Sequence, residues 1–236
     1  VWLALETSGD RASVAVGIAG RLLGEAELAG SRQHAAGLPE LIDEALRQAG
    51  ATIAEVEGIV LADGPGGFTG LRIGAAVAKA LIRTRRRPLW SVPSLIATAA
   101  AAGKDFDGAL IAVVGDALRG ELFATALRRQ QGGLDIVLPP EVWRPDALAE
   151  RCPRPDRLVV RDEGAPVLPS AWNELPRLAR KPAARDLLAL IGVRGGARLI
   201  ADSAGWEPQY GRPAEAQARW EATHGRRIPD SPGHLR

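Results

Sequence analysis

The sequence predicts an α/β fold of two lobes, each built from one copy of a βββαβα unit. Three observations carry that prediction. Two apolar stretches of strand character end on an acidic residue, Trp2-Leu-Ala-Leu-Glu6 and Ala109-Leu-Ile-Ala-Val-Val-Gly-Asp116, and each is followed by a short polar turn. Each turn leads into strands joined through glycine, at Gly20 in the first half and at Gly132-Gly133 in the second. Before the second half begins, an apolar strand at 58–62, a glycine-rich break and a long helical run follow one another. Self-similarity of this kind points to a duplicated supersecondary unit rather than one continuous sheet.

Taken in order, residues 2–6 form a central strand, and 12–18 and 22–28 form a hairpin around Gly20-Arg21, giving a three-stranded meander. Residues 35–49 form an amphipathic helix with Leu38, Leu41, Ile42, Ala45 and Leu46 on its inner face and Gly50 as its stop. The strand 58–62 then leads into Gly64-Pro-Gly-Gly-Phe-Thr-Gly70 and a helix capped by Thr69. Almost all its residues are Ala, Gly, Leu, Ile or Val, with Arg72, Lys79 and Arg83 as one charged stripe, so most of its sides must be covered. Gly74, Ala75, Ala76, Ala78 and Ala80 allow close backbone approach. A strand at 88–92 and a helix opened by Pro93 and running to Gly103 complete a first lobe, 1–103.

The second lobe, 104–236, repeats the pattern with strands at 109–114, 121–127 and 134–138, a short helix from Pro145 or Asp146 to Arg151, and a strand at 157–161. Pro166, Pro169 and Pro176 keep the next stretch irregular, and 183–193 reads as a helix ended by Gly195-Gly196. The tail from Asp202 onward is polar and proline-rich and is expected to be mobile or partner-bound.

A chain of 236 residues, 46% apolar, holds enough material for a large core and is not disordered in composition. The formal net charge of +2 with a pI near 9.1 reflects arginine content and argues little for nucleic-acid binding. The densest basic run, Arg83-Thr-Arg-Arg-Arg87, closes a helix and reads as a solvated end favoured by the dipole, with an RNA or partner contact as the other reading. Cys152 is the only cysteine, so no internal disulfide is available and a reducing compartment suits the chain. No apolar run approaches twenty residues, and a cytoplasmic location without membrane contact is expected.

Catalytic chemistry is hard to find. Glu6, Asp10, Asp63 and Asp116 stand near strand ends, where layered α/β folds place functional groups, yet carboxylates at turns commonly accept local backbone hydrogen bonds. His34, His224 and His234 are too dispersed for a local metal motif, and Ser8, Ser31 and Ser94 lack a nucleophile elbow. The glycine loop has no Gly-Lys-Ser/Thr ending and does not match the dinucleotide pattern, leaving a helix-entrance turn that could bind an anion or shape an interface. No catalytic residue, metal site or cofactor is assigned.

The run Asp63-Gly-Pro-Gly-Gly-Phe-Thr-Gly-Leu-Arg-Ile-Gly-Ala-Ala-Val-Ala-Lys-Ala80 resembles the hallmark Gly-Pro-Gly-Ser-Phe-Thr-Gly-Leu/Val-Arg-Ile-Gly of the bacterial tRNA threonylcarbamoyladenosine biosynthesis proteins of the TsaB (YeaZ) family. Leu3-Ala-Leu-Glu-Thr-Ser8, His34, Asp116-Ala-Leu-Arg-Gly-Glu-Leu-Phe123 and Glu207-Pro-Gln-Tyr210 are similar to further elements of that family. The resemblance covers the chain to about residue 125 and returns near Tyr210. It implies an actin-like ATPase (ASKHA) architecture without a complete nucleotide site. It also implies a non-catalytic role: such proteins pair with a TsaD-like transferase, are joined by a TsaE-like ATPase, and support transfer of threonylcarbamoyl to N6 of adenosine 37 in tRNA. In the absence of that partner they form homodimers through the same surface.

In the family the pairing surface is built by helices of the first lobe. Here it would comprise Leu38, Leu41, Thr69, Arg72, Ile73, Ala76, Lys79, Ala80 and Arg83. The departures are Glu6 for the usual aspartate, Gly67 for the usual serine, Leu118 where arginine is expected with Arg119 beside it, and Tyr210-Gly-Arg212 in place of Tyr-Leu-Arg. Two other readings stand beside this one: a stand-alone actin-like kinase or ATPase using Glu6 and Asp116, and a protease of related fold.

Overall fold

The structure is a computed structural model that describes residues 1–18, 20–29, 34–103, 108–161, 166–211 and 223–224. Strands β1 (Trp2–Glu6), β2 (Arg11–Ile18) and β3 (Arg21–Ala29) form the expected antiparallel meander, and β4 (Gly58–Ala62) and β5 (Leu89–Val92) extend it in parallel beyond β1. A second sheet holds β6 (Leu110–Asp116), β7 (Leu122–Gln130), β8 (Gly133–Trp143), β9 (Arg157–Val160) and β10 (Arg177–Ala179). The spatial orders β5-β4-β1-β2-β3 and β10-β9-β6-β7-β8 correspond strand for strand, so the duplication lies in the topology itself. The two-lobed α/β fold is of the actin-like (ASKHA) class. One strand more, β11 (Arg198–Leu199), pairs antiparallel with β5, so the first sheet takes an edge from the far end of the chain.

Five layers result. Helices α1 (His34–Gln48) and α2 (Phe68–Arg85) cover the outer face of the first sheet, where Leu3, Leu5, Val14, Val16, Ile59 and Leu61 meet Leu38, Ile42, Ala75, Ala78 and Ile82. The alternate residues Ala4, Ala15, Val60 and Ala62 point to the opposite face, as the two-residue period of a strand requires. There they share one core with α3 (Ser94–Ala101) and α5 (Ala184–Leu188) and with Ile111, Val113, Phe123 and Val159 of the second sheet; α5 packs on the first sheet and on α3, and α3 packs on β6 and β7. One apolar core therefore joins the lobes. The outer face of the second sheet is covered by α4 (Pro145–Arg151) together with Trp172 and Leu175.

Several elements differ from the sequence reading. Helix α2 begins at Phe68 with Gly67, not Thr69, as its extended N-cap, because the Gly67 amide is held by the Ser8 carbonyl at 2.8 Å and its own carbonyl already accepts from Leu71. The helix expected over 183–193 is α5 alone, which closes at Leu188; Gly192 and Gly195 then take positive φ in the turns that follow. Strand β8 runs through Pro139 and Pro140 to Trp143, which a sheet edge tolerates because an edge strand has one unpaired side. Strands β10 and β11 are too short to give a periodic signal. The expectation of a mobile tail falls mostly on 212–222 and 225–236, outside the described residues, as do the side chain of His34 and all of His234.

Candidate partner interface and interlobe cleft

Helix α2 sorts its residues by helical period. Leu71, Gly74, Ala75, Ala78 and Ile82 face the sheet and are buried, while Thr69, Arg72, Ala76, Ala80 and Arg83 form one exposed ridge. Five of the nine expected interface residues therefore share a solvent-facing stripe. Ile73 and Leu41 are half-buried on its flank, and α1 packs beside α2 there. Leu38, expected on the same surface, does not share that stripe: it is 0% exposed and packed into the lobe's own core. Ala78 is equally enclosed. The close backbone approach expected of the small residues is met partly inside the chain, since a Cβ on Gly74 would lie 2.4 Å from Thr7 Oγ1.

Lys79 is engaged from within. Its ammonium stands 3.6 Å from Glu207, donates to the Ala204 carbonyl and lies over the Trp206 ring. The segment 200–211 thus runs along one flank of α2, and it continues with Tyr210 stacked 4.5 Å from Phe68, whose ring also carries the Arg72 guanidinium. Burial and Glu207 push the Tyr210 phenol up to about 12. At the helix end, Arg83 and Arg86 are exposed, but Arg87 is tucked in and donates to the Ile53 carbonyl at 2.6 Å. The basic run is therefore not one uniform solvated patch.

The glycine loop is filled by its own chain. The Gly64 amide donates to Ser94 Oγ and the Gly67 amide to the Ser8 carbonyl, which commits two of the donors that an anion would need. A Cβ on Gly64 would lie 1.9 Å from the Gln209 carbonyl, and one on Gly66 2.4 Å from that of Ser8. Asp63, fully buried, accepts from Arg198 at 2.7 Å; burial raises its carboxyl above the usual range and Arg198 opposes the rise.

The other strand-end acids do different work. Glu6 is buried and accepts from the amide of Ser8 at 2.7 Å and from its hydroxyl; burial raises its carboxyl, with Arg161 opposing. Asp116 is exposed and accepts from the Leu118 amide, holding a turn in which Leu118 and Arg119 both have positive φ. Asp10 pairs with Lys181 at the surface. Among the described residues no three His, Cys, Asp or Glu side chains converge on a possible metal position. Cys152 is buried, and burial pushes its thiol up to about 11, away from nucleophilic use. The roles of Arg161 and Arg198 escaped the sequence reading, as did the packing of the 200–211 segment on α2; the signals on offer were a charge directly after an apolar strand, at Arg161, and the family-like Glu207-Pro-Gln-Tyr210.

Residues 27–160 match the family described as “TsaD: tRNA N6-adenosine threonylcarbamoyltransferase”. The tRNA threonylcarbamoyladenosine biosynthesis protein TsaB of Bacillus subtilis (strain 168) is 32% identical over 179 residues, 69% of this chain and 72% of that protein. The chain belongs to the TsaB (YeaZ) family. The TsaB protein of Escherichia coli (strain K12) is 27% identical over 59% of this chain and 63% of its own length. The solved structure of YeaZ from Pseudomonas aeruginosa superposes with a TM-score of 0.69 at 29% identity, covering 81% of this chain and 91% of that one. In this TsaB-family chain the hallmark glycine run is thus the packed seam between β4, the Ser8 turn and α2. No helix of the described residues is long and apolar enough to cross a membrane.

Proposed function

We propose that this chain is a non-catalytic scaffold and activator subunit of the assembly that forms N6-threonylcarbamoyladenosine at position 37 of tRNA. It pairs with a TsaD-like transferase through the exposed ridge of α2, supports recruitment of a TsaE-like ATPase, meets tRNA through the complex, and acts in the cytoplasm. The observation that carries the reading is the ridge itself: Ala76 and Ala80 leave the helix backbone open to close approach between two flanking arginines, Arg72 and Arg83. Burial of such a face against a second protein biases that protein's conformational equilibrium without any side-chain chemistry here. The glycine loop supports the same reading, since its Gly64 and Gly67 donors are spent within the chain.

Mixing the chain with its cognate transferase is the test. A joint, earlier gel-filtration peak and a higher yield of modified tRNA are expected, and separate peaks with unchanged yield would sink the proposal. In isolation the same ridge would pair two copies of this chain.

A further inference from the structure

We infer that Arg161 is a built-in ligand of the cleft between the lobes, a guanidinium that pins the two sheets in one relative arrangement. It leaves the end of β9 in the second sheet and is 3% exposed. Nη1 donates to the Pro65 carbonyl of the glycine loop at 2.6 Å, and Nη2 donates to Ser8 Oγ at 2.6 Å. Ser8 Oγ passes its own hydrogen on to Glu6 Oε1, so the buried charge of Arg161 is answered through one hydroxyl by a buried acid. Glu6 Oε2 has no hydrogen-bond partner among the described residues, which leaves Ser8 and Arg161 as the groups that hold this carboxyl in place.

The position matters as much as the bonds. Ser8 and Pro65 follow the carboxyl ends of the parallel strands β1 and β4, the place where open α/β sheets receive ligands. Here a side chain from the opposite lobe takes that place. A cavity of about 10 Å³, room for a single water, lies beside it, with Glu6, Gly9, Asp10, Arg11, Arg161 and Lys181 in its lining. A guanidinium suits the task because its planar fork can donate in two directions at once, to Pro65 and to Ser8, whereas an ammonium donates from a single nitrogen. Arg161, the turn at Ser8 and the glycine loop that leads into α2 are thereby coupled through one side chain.

Spin labels at the exposed positions Asp43 on α1 and Glu150 on α4 report the spacing of the two outer layers, while amide exchange reports the Gly67–Ser8 bond. In the otherwise unchanged full chain, one narrow distance distribution and slow Gly67 exchange are expected. Arg161→Ala is expected to broaden the distribution and to speed Gly67 exchange by about tenfold or more, while amides within β7 stay protected. Arg161→Lys, a milder change that keeps the charge, is expected to fall between the two and serves as the test if the alanine variant does not fold. A narrow distribution and unchanged Gly67 exchange in either folded variant would overturn the inference. So would a general rise in exchange through both sheets, which marks plain destabilisation.

Discussion

Arg198 Nη2 lies 2.7 Å from Asp63 Oδ2 and ties a two-residue strand to the first residue after β4 across 135 positions of sequence. The acid is 0% exposed and the arginine side chain 51% exposed, so the pair is half in water. Loss of the arginine leaves a buried carboxyl without its cation. A fully buried pair broken in this way costs about 3–5 kcal/mol, and solvent screening of Arg198 reduces the expectation to about 1–2 kcal/mol for Arg198→Ala. Asp63→Asn in the same background is expected to return part of it. Urea unfolding of the three variants measures both values, and a silent Arg198→Ala would show that the strand holds without its ion pair.

Two alanines on one helix are expected to behave oppositely. Ala76→Trp, on the exposed ridge, should leave the unfolding midpoint of the isolated chain unchanged and weaken transferase binding by about tenfold or more. Ala78→Leu, at 0% exposure, should cost about 1–3 kcal/mol of stability through overpacking before any partner is added. Titration calorimetry and thermal unfolding separate the two effects. Full affinity in Ala76→Trp would place the partner elsewhere.

Gly74→Ala puts a methyl 2.4 Å from Thr7 Oγ1, a clash that outweighs the roughly 1 kcal/mol that alanine gains inside a helix. A net loss of about 1–2 kcal/mol is expected. With Thr7→Ala the nearest hydroxyl is gone, and the double variant should recover most of the loss. Additive losses in the pair would mean that Gly74 is needed for some other reason.

Stability is expected to depend on pH through the buried Glu6 and Asp63 and the half-buried Asp186. Burial raises the carboxyls of Glu6, Asp63 and Asp186 in the folded state, with reference values of 4.5 for Glu6 and 3.8 for the two aspartates. The folded chain then holds these protons more tightly than the unfolded one. Their contribution is complete below those reference values and is lost as pH rises through the raised folded values. Exposed Glu44 and Glu55, lowered by hydrogen bonds from Arg47 and from the Thr52 amide respectively, act in the reverse direction, so the variant difference is the clean readout. Glu6→Gln should gain on the wild type as pH rises from acid to neutral. A gap between the two midpoints that does not change with pH would contradict the assigned burial effect.

Much of this molecule is written in short-range pattern. The meander β1–β3, the strand–glycine loop–helix run and the second copy of the plan follow from two-residue and 3.6-residue periods, glycine at turns and proline at helix starts, all of which act over a few neighbours. On α2 helical spacing put Arg72, Lys79 and Arg83 on one charged stripe; Arg72 and Arg83 are exposed together with Thr69, Ala76 and Ala80, but Lys79 is drawn aside to Glu207 and Trp206. Leu38 shows the limit of that logic: an apolar face announces burial but not whether the cover is the lobe's own sheet or another protein, and here it is the sheet. Arg161 with Ser8, Arg198 with Asp63, and Lys79 with the 204–207 segment were decided by tertiary structure alone. Such contacts join residues 125 to 153 positions apart, and a hydrogen bond or ion pair leaves no periodic trace in the sequence on either side of it. Local propensity set the elements, while the closing of two sheets around α3 and α5 chose which charges meet in the seam.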